Sequence, residues 1–205
     1  MTEQPSAKRA QQGALPRPLT TRCVFLARDG TINREVHHLR RLEELELLEG
    51  APEGIRLLNR AGWRVIVVTN QAAVARGLLS EERLGEIHQE LQAMLAREGA
   101  YVDAIYYCPH HPTEGFGRYR LECTCRKPQP GSIQRAAREL GLDLAQSYCI
   151  GDKRSDLEAG RTAGCHTILV RTGYGVATAA QLDGESIRPD YIATNLLEAA
   201  QWILA

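Results

Sequence analysis

From residue 22 onward, short apolar runs alternate with stretches whose apolar positions recur at helical spacing. Strands buried on both faces read as near-continuous apolar runs, and parallel neighbours must be joined by a crossover that is usually a helix. The chain is therefore expected to be α/β, a doubly wound parallel sheet with helices on both faces. CVFLA (Cys23–Ala27) is the first strand, followed by a helix over Pro52–Ala61 with Gly62 after its end. VIVVT (Val65–Thr69) is the second strand, and Ser80 is placed to cap a helix reaching about Glu98. The third strand runs through Ile105–Tyr107. Then come a helix over Gly131–Leu140, a strand at Tyr148–Ile150, a helix over Asp156–Ala163, a strand at Thr167–Val170, and a closing strand and helix in YIATNLLEAAQWIL.

Residues 1–20, rich in Pro, Gln, Ala and Arg, read as a flexible tail without the apolar stretch of an export signal, and residues 21–205 as a single domain. Lysines plus arginines number 25 and acids 25, so no global field draws the chain to nucleic acid or to an anionic membrane. The longest aliphatic stretch, Val65–Val68, is far short of the roughly 20 residues of a membrane span. A cytoplasmic monomer is the expectation. The six cysteines should then stay reduced, which turns attention to metal binding.

Ligands of open parallel sheets sit beyond the carboxyl ends of the strands, near the point where strand order reverses. Arg28, Asp29, Gly30 and Thr31 follow the first strand, Asn70 and Gln71 the second, Arg126 and Lys127 the region after the third, and Gly151 and Asp152 the fourth. Such a set suits a phosphate group: Lys127 and Arg126 offset its charge, Thr69 and Asn70 donate hydrogen bonds, and the acids hold a magnesium ion.

FLARDGTIN, VVTNQ, CRKPQPG and GDKRSD, in this order, resemble the four motifs of haloacid dehalogenase superfamily phosphatases, over nearly all of residues 22–175. The resemblance implies a Rossmann-like core with a minimal cap and a magnesium-dependent reaction through an aspartyl-phosphate. The first acid of an Asp-x-Asp-Gly-Thr start attacks phosphorus. The second, here Asp29, protonates the leaving oxygen and later activates water. Covalent catalysis of this kind splits one hard displacement into two easier ones. TNQAAVARG, IYYCPHHP, CTCRKPQPG and GDK narrow the likeness to the heptose-bisphosphate phosphatase branch. That branch implies a small-molecule sugar bisphosphate as partner and loss of its 7-phosphate during nucleotide-activated heptose and lipopolysaccharide biosynthesis. By motif, Asp29 and Asp152 are magnesium ligands, joined by position 27 where it is Asp. Thr69 and Lys127 stabilise the phosphoryl group, and Arg126 recognises substrate. Arg28, Glu35, His38, Asn70, Gln71, Ala72, Arg126, Lys127 and Lys153 are expected to line the substrate site.

The spacing Cys108-x-His110 and Cys123-x-Cys125 offers three sulfurs and an imidazole for a tetrahedral, structural zinc, with His111 as the rival nitrogen. The resemblance favours His110. Four protein ligands leave no open position, so this ion is expected to order residues 108–125 and not to perform chemistry.

The nucleophile position holds Ala27. A methyl group cannot attack phosphorus, and one anionic magnesium ligand is lost with the carboxylate, so the chain is expected not to turn over. With every other motif residue present, deliberate replacement is favoured over natural loss. Histidinol-phosphate phosphatase and a non-catalytic phosphosugar-binding protein are the alternative readings.

Overall fold

The protein is described here by a computed structural model covering residues 8–10, 21–182 and 187–205. Its strands are β1 (Lys8–Ala10), β2 (Cys23–Leu26), β3 (Arg64–Asn70), β4 (Ala104–Cys108), β5 (Tyr148–Gly151), β6 (His166–Val170) and β7 (Tyr191–Ala193). They form one sheet in the order β1-β4-β3-β2-β5-β6-β7. The ladders from β4 to β7 are all parallel. The chain winds outward from β2 through β3 to β4, then returns to β5 on the other side of β2 and continues to β6 and β7. Strand order therefore reverses between β2 and β5.

Alternate residues of each strand feed two separate cores, as the period of two requires. On one face Val24, Leu26, Val65, Val67, Ile105 and Ile150 meet Ile55 and Leu58 of α1 (Ala51–Arg60). The same face packs Leu84, Ile87, Leu91 and Leu95 of α3 (Glu81–Arg97) and Leu196 of α7 (Leu196–Leu204). On the other face Cys23, Phe25, Ile66, Val68, Tyr106 and Cys149 meet Ile133 and Ala136 of α4 (Gly131–Leu140) and Ala159 of α5 (Arg154–Ala163). Cys23, Cys149 and Cys165 thus act as small buried hydrophobes. The sheet is doubly wound, as the alternation implied.

Helix ends follow local chemistry. Ser80 Oγ accepts from the Arg83 N–H at 3.0 Å and Asn195 Oδ1 from that of Glu198 at 3.1 Å. Gly141 and Gly164 end α4 and α5 with φ of 65° and 92°.

Two helices escaped the sequence reading: α2 (Ala72–Ala75), too short to show a period, and α6 (Gly175–Leu182), which supplies the crossover from β6 to β7. The tail also needs a correction. Lys8–Ala10 is not loose; it pairs antiparallel with Tyr107–Ile105 at the outer edge of β4. An edge strand presents unpaired amides and carbonyls that can template a further strand, and three residues carry no periodicity by which to foresee it. The remainder of the expected tail, residues 1–7 and 11–20, lies outside the described residues.

Gly54 packs α1 against α7: a Cβ there would lie 2.6 Å from the Leu196 carbonyl oxygen, whereas one on Gly85 of α3 would meet nothing within 4 Å. The two glycines should therefore respond oppositely to alanine. Urea unfolding should show Gly85→Ala stabilising by about 1 kcal/mol through helix propensity. Gly54→Ala should lose about 1–3 kcal/mol, because the backbone contact outweighs that gain.

Candidate functional site

The carboxyl ends of β2, β3 and β5 surround a cavity of about 40 Å³ lined by Ala27, Asp29, Thr69, Lys127, Asp152 and Lys153, among others. It lies at the switch point between β2 and β5. Ala27 follows β2 directly, 6% exposed, its N–H donating to the Ile150 carbonyl at 2.9 Å.

Asp29 is gripped from three sides. Arg28 donates to Oδ1 from Nε and Nη2 at 3.1 and 2.9 Å and to Oδ2 from Nη2 at 2.9 Å. Asn33 donates to Oδ1 at 3.0 Å and Gln71 to Oδ2 at 2.9 Å. Burial raises the pKa of this carboxyl, but the Arg28 charge and the Asn33 and Gln71 donors outweigh it and hold the group below the usual carboxylate range. Gln71 uses its second amide hydrogen on Thr69 Oγ1 at 2.8 Å, which fixes that hydroxyl beside the cavity.

Asp152 is fully buried. Its Oδ2 accepts the Tyr174 N–H at 2.9 Å, while Oδ1 has no protein partner. Burial, and next the charge of Asp156, push its pKa up to about 6. The backbone closes tightly around it: a Cβ on Gly30 or Gly173 would lie 2.2 or 2.4 Å from Oδ2, and both glycines hold positive φ, 79° and 55°. A buried carboxylate oxygen left without a donor is the condition a divalent cation satisfies. Asp152 meets that condition, whereas both oxygens of Asp29 already accept hydrogen bonds.

Lys127, 6% exposed, sends Nζ to Asp156 Oδ1 at 2.7 Å and to the Val68 carbonyl at 2.6 Å. Asp156 was not singled out from the sequence, although GDKRSD spells its spacing from Asp152. Its other oxygen accepts the Lys153 N–H at 3.0 Å, which locks the first turn of α5.

Some expected ligands do other work. The Asn70 amide spans the Lys127 main chain, donating one N–H to its carbonyl at 2.9 Å and accepting its N–H at 3.0 Å, so this side chain positions Lys127 while it also lines the cavity. Arg28 also lines the cavity, and its side chain is fully enclosed, bonded to Asp29 and to His88. The bond to His88, on α3, was invisible in the sequence because it joins residues 60 positions apart. Ala72 is buried in α2. Glu35 accepts Lys153 Nζ at 2.7 Å, and Lys153 lies 4.8 Å from the centre of the Tyr174 ring. His38 Nε2 lies 2.6 Å from Arg76 Nη1. Arg126 donates to the His110 carbonyl at 3.1 Å and lines a second, larger pocket of about 540 Å³ that shares Lys127 with the first.

Cys108, His110, Cys123 and Cys125 place all four donor atoms within 4.8 Å of one another. Cys108 Sγ lies 3.5 Å from Cys123 Sγ and 3.7 Å from His110 Nδ1, and Cys125 Sγ lies 3.2 Å from Cys123 Sγ and 3.4 Å from His110 Nδ1. Sulfur ligands around a tetrahedral zinc stand about 3.8 Å apart, close to this spread. Contacts from Cys108, then Cys125, pull the Cys123 thiol far down toward thiolate. His111 stands apart, its Nδ1 accepting the Glu114 N–H at 3.0 Å.

Comparison with known proteins agrees with this arrangement. The haloacid dehalogenase-like hydrolase family profile matches residues 24–161, and a related hydrolase profile matches residues 124–199. A D-glycero-D-manno-heptose-1,7-bisphosphate 7-phosphatase of Thermosynechococcus vestitus is 40% identical over 92% of this chain and 96% of its own length. A D-glycero-beta-D-manno-heptose-1,7-bisphosphate 7-phosphatase of Haemophilus ducreyi is 37% identical over 89% and 98%. The crystal structure of D,D-heptose 1,7-bisphosphate phosphatase from B. bronchiseptica, complexed with magnesium and phosphate, superposes with a TM-score of 0.80 at 36% identity, covering 89% of this chain and 98% of that one. Fold, ordered motifs and relatives together make this chain a member of the haloacid dehalogenase-like hydrolase family, a phosphatase in type.

Proposed function

We propose that the site is built to remove the 7-phosphate of D-glycero-D-manno-heptose 1,7-bisphosphate in the cytoplasm, and that Ala27 holds this chain at the bound state. The observation that carries the chemistry is the cavity at the switch point, where Lys127, Thr69 and the partnerless oxygen of Asp152 converge on Ala27. The substrate follows from relatives that carry the heptose name over nine-tenths of the chain; none of those cited points to histidinol phosphate. Free thiols at all six cysteines suit a reducing compartment, and no helix among the described residues is long and apolar enough to cross a membrane.

In this reading the phosphoryl group lies against Lys127 and the Thr69 hydroxyl, which offset its charge. Magnesium, held by Asp152 and Asp29, supplies further neutralisation of that charge when bound. Asp29 gives a proton to the departing sugar oxygen and takes one from water in the second half-reaction. Its carboxyl is held in the ionised form chiefly by Arg28; a phosphate and an Asp at position 27 add like charges that raise its pKa toward the range an acid requires. Arg126 and the larger pocket receive the sugar end. Zinc at Cys108, His110, Cys123 and Cys125 holds the loop from which Arg126 and Lys127 emerge.

Three measurements test this. Ala27→Asp should confer magnesium-dependent phosphate release from the heptose bisphosphate at the 7-position, assayed with both anomers and with histidinol phosphate. Adding Asp29→Asn to that variant should lower kcat by roughly 10²–10⁴-fold. The unaltered chain should bind the same substrate without releasing phosphate; heptose bisphosphate left intact by the Ala27→Asp protein would reject the assignment.

Magnesium affinity should rise with pH around 6, because Asp152 titrates there and must lose its proton to become a ligand. Below that midpoint calorimetry should show up to about a tenfold weaker Kd per pH unit, and above it a plateau. A flat profile from pH 5 to 7.5 would place the ion elsewhere.

The purified protein should contain about one zinc, with three sulfurs and one nitrogen by X-ray absorption. Strong chelation should speed hydrogen exchange in residues 108–125 before the sheet core responds. Uniform loss of protection would contradict a loop-confined role.

A further inference from the structure

We propose that His88 is a positioning residue that aims the carboxylate of Asp29 through the buried guanidinium of Arg28; the catalytic part of this rests on the acid/base role given to Asp29 above. Arg28 is the largest wholly buried side chain among the described residues. Its Nε and Nη2 face Asp29, and its Nη1 lies 3.1 Å from His88 Nε2. A guanidinium has donors and no acceptor. His88 Nε2 must therefore offer a lone pair, which makes the ring neutral with its proton on Nδ1. Among the described residues, the charges that bear on His88 are those of Arg28 and Asp29; burial and then Arg28 push its pKa down to about 3, so it keeps this form across the working range.

The geometry gives the histidine a directional task. A fully enclosed guanidinium whose N–H groups lack acceptors is costly, so without Nε2 the Arg28 fork would turn to find another partner and carry the Asp29 oxygens with it. Asn33 and Gln71 hold the carboxylate from its other sides, and the bond that Asn33 makes to Arg28 goes to the main-chain carbonyl, at 3.2 Å. His88 is itself braced. Its ring meets that of Tyr107 of β4 at 5.7 Å, and the Tyr107 hydroxyl donates to Glu81 at 2.7 Å, as does that of Tyr119 from the loop between the cysteine pairs. A connected path thus runs from the metal loop to the acid/base group by way of α3.

The test begins with the chain as it stands. Nitrogen-15 NMR of the imidazole between pH 5 and 8 should show Nε2 unprotonated and Nδ1 protonated; an Nε2–H tautomer or an imidazolium would overturn the proposal without any variant. His88→Gln retains an acceptor, whereas His88→Leu fills the space without one. Arg28 guanidinium protons should exchange at parental rates in His88→Gln and at least about tenfold faster in His88→Leu. In the Ala27→Asp background, His88→Leu should lower kcat roughly tenfold with KM within about twofold, and His88→Gln should recover most of the loss. Equal behaviour of the Leu and Gln variants, in exchange or in kcat, would assign His88 to packing alone. Should Ala27→Asp hydrolyse no phosphate ester, the catalytic reading of Asp29 fails, while the tautomer and the exchange rates still decide whether His88 holds Arg28.

Discussion

The ion pair between Lys127 and Asp156 joins the two halves of this protein. Both side chains are almost fully enclosed, 6% and 3% exposed, and their atoms are 2.7 Å apart. Lys127 arrives at the end of the metal loop, whereas Asp156 lies in the first turn of α5, just beyond β5. Neither charge tolerates burial alone, and removing one partner of such a pair strands the other at a cost of about 3–5 kcal/mol. The pair therefore fixes how the loop sits on the sheet, and with it the distance between Lys127 and Asp152 across the cavity. Asn70, clasping the Lys127 main chain from β3, adds a second fastening that charge does not control.

Ala27 separates two properties that one carboxylate normally combines. Position 27 is almost fully buried at the junction of β2 and β5, with its backbone paired to Ile150, and these features do not depend on the side chain. The surrounding groups keep their own supports: Gln71 on Thr69, Tyr174 on Asp152, Asp156 on Lys127. In the proposed reaction, what the methyl group removes is local, one charge and one attacking oxygen. The cavity also loses a like charge that opposes an incoming phosphate.

Much of this was legible in the sequence because it is periodic or closely spaced. The apolar runs that became β2 to β6 reported the double winding, since only strands buried on both faces omit polar positions. The motif residues at their ends, and the two cysteine-containing pairs, were readable as chemistry at short range. Partnerships that cross the fold were not. That Arg28 turns inward depends on His88 in α3, and that Asn70 supports Lys127 depends on a turn 57 residues later. Both residue types are ordinary phosphate ligands, so the family resemblance placed them at the substrate without showing these partnerships. Asp156 was visible as a letter in its motif, but its worth came from a lysine on another loop. The tail strand had no signal at all, because pairing at a sheet edge is recruited by the partner.

That strand, Lys8–Ala10, has a consequence for how copies of the protein meet one another. Without it the sheet would end in the five wholly buried residues of β4, an apolar ribbon of open hydrogen-bonding groups of the kind that seeds edge-to-edge aggregation. With it, the outermost strand is only three residues long and antiparallel, a poor template for a second sheet. Lys8–Ala10 thus shields this edge although it lies outside every catalytic motif, and a shortened chain that begins near residue 21 would expose the backbone of Ile105–Tyr107, just before Cys108 leads into the cysteine loop.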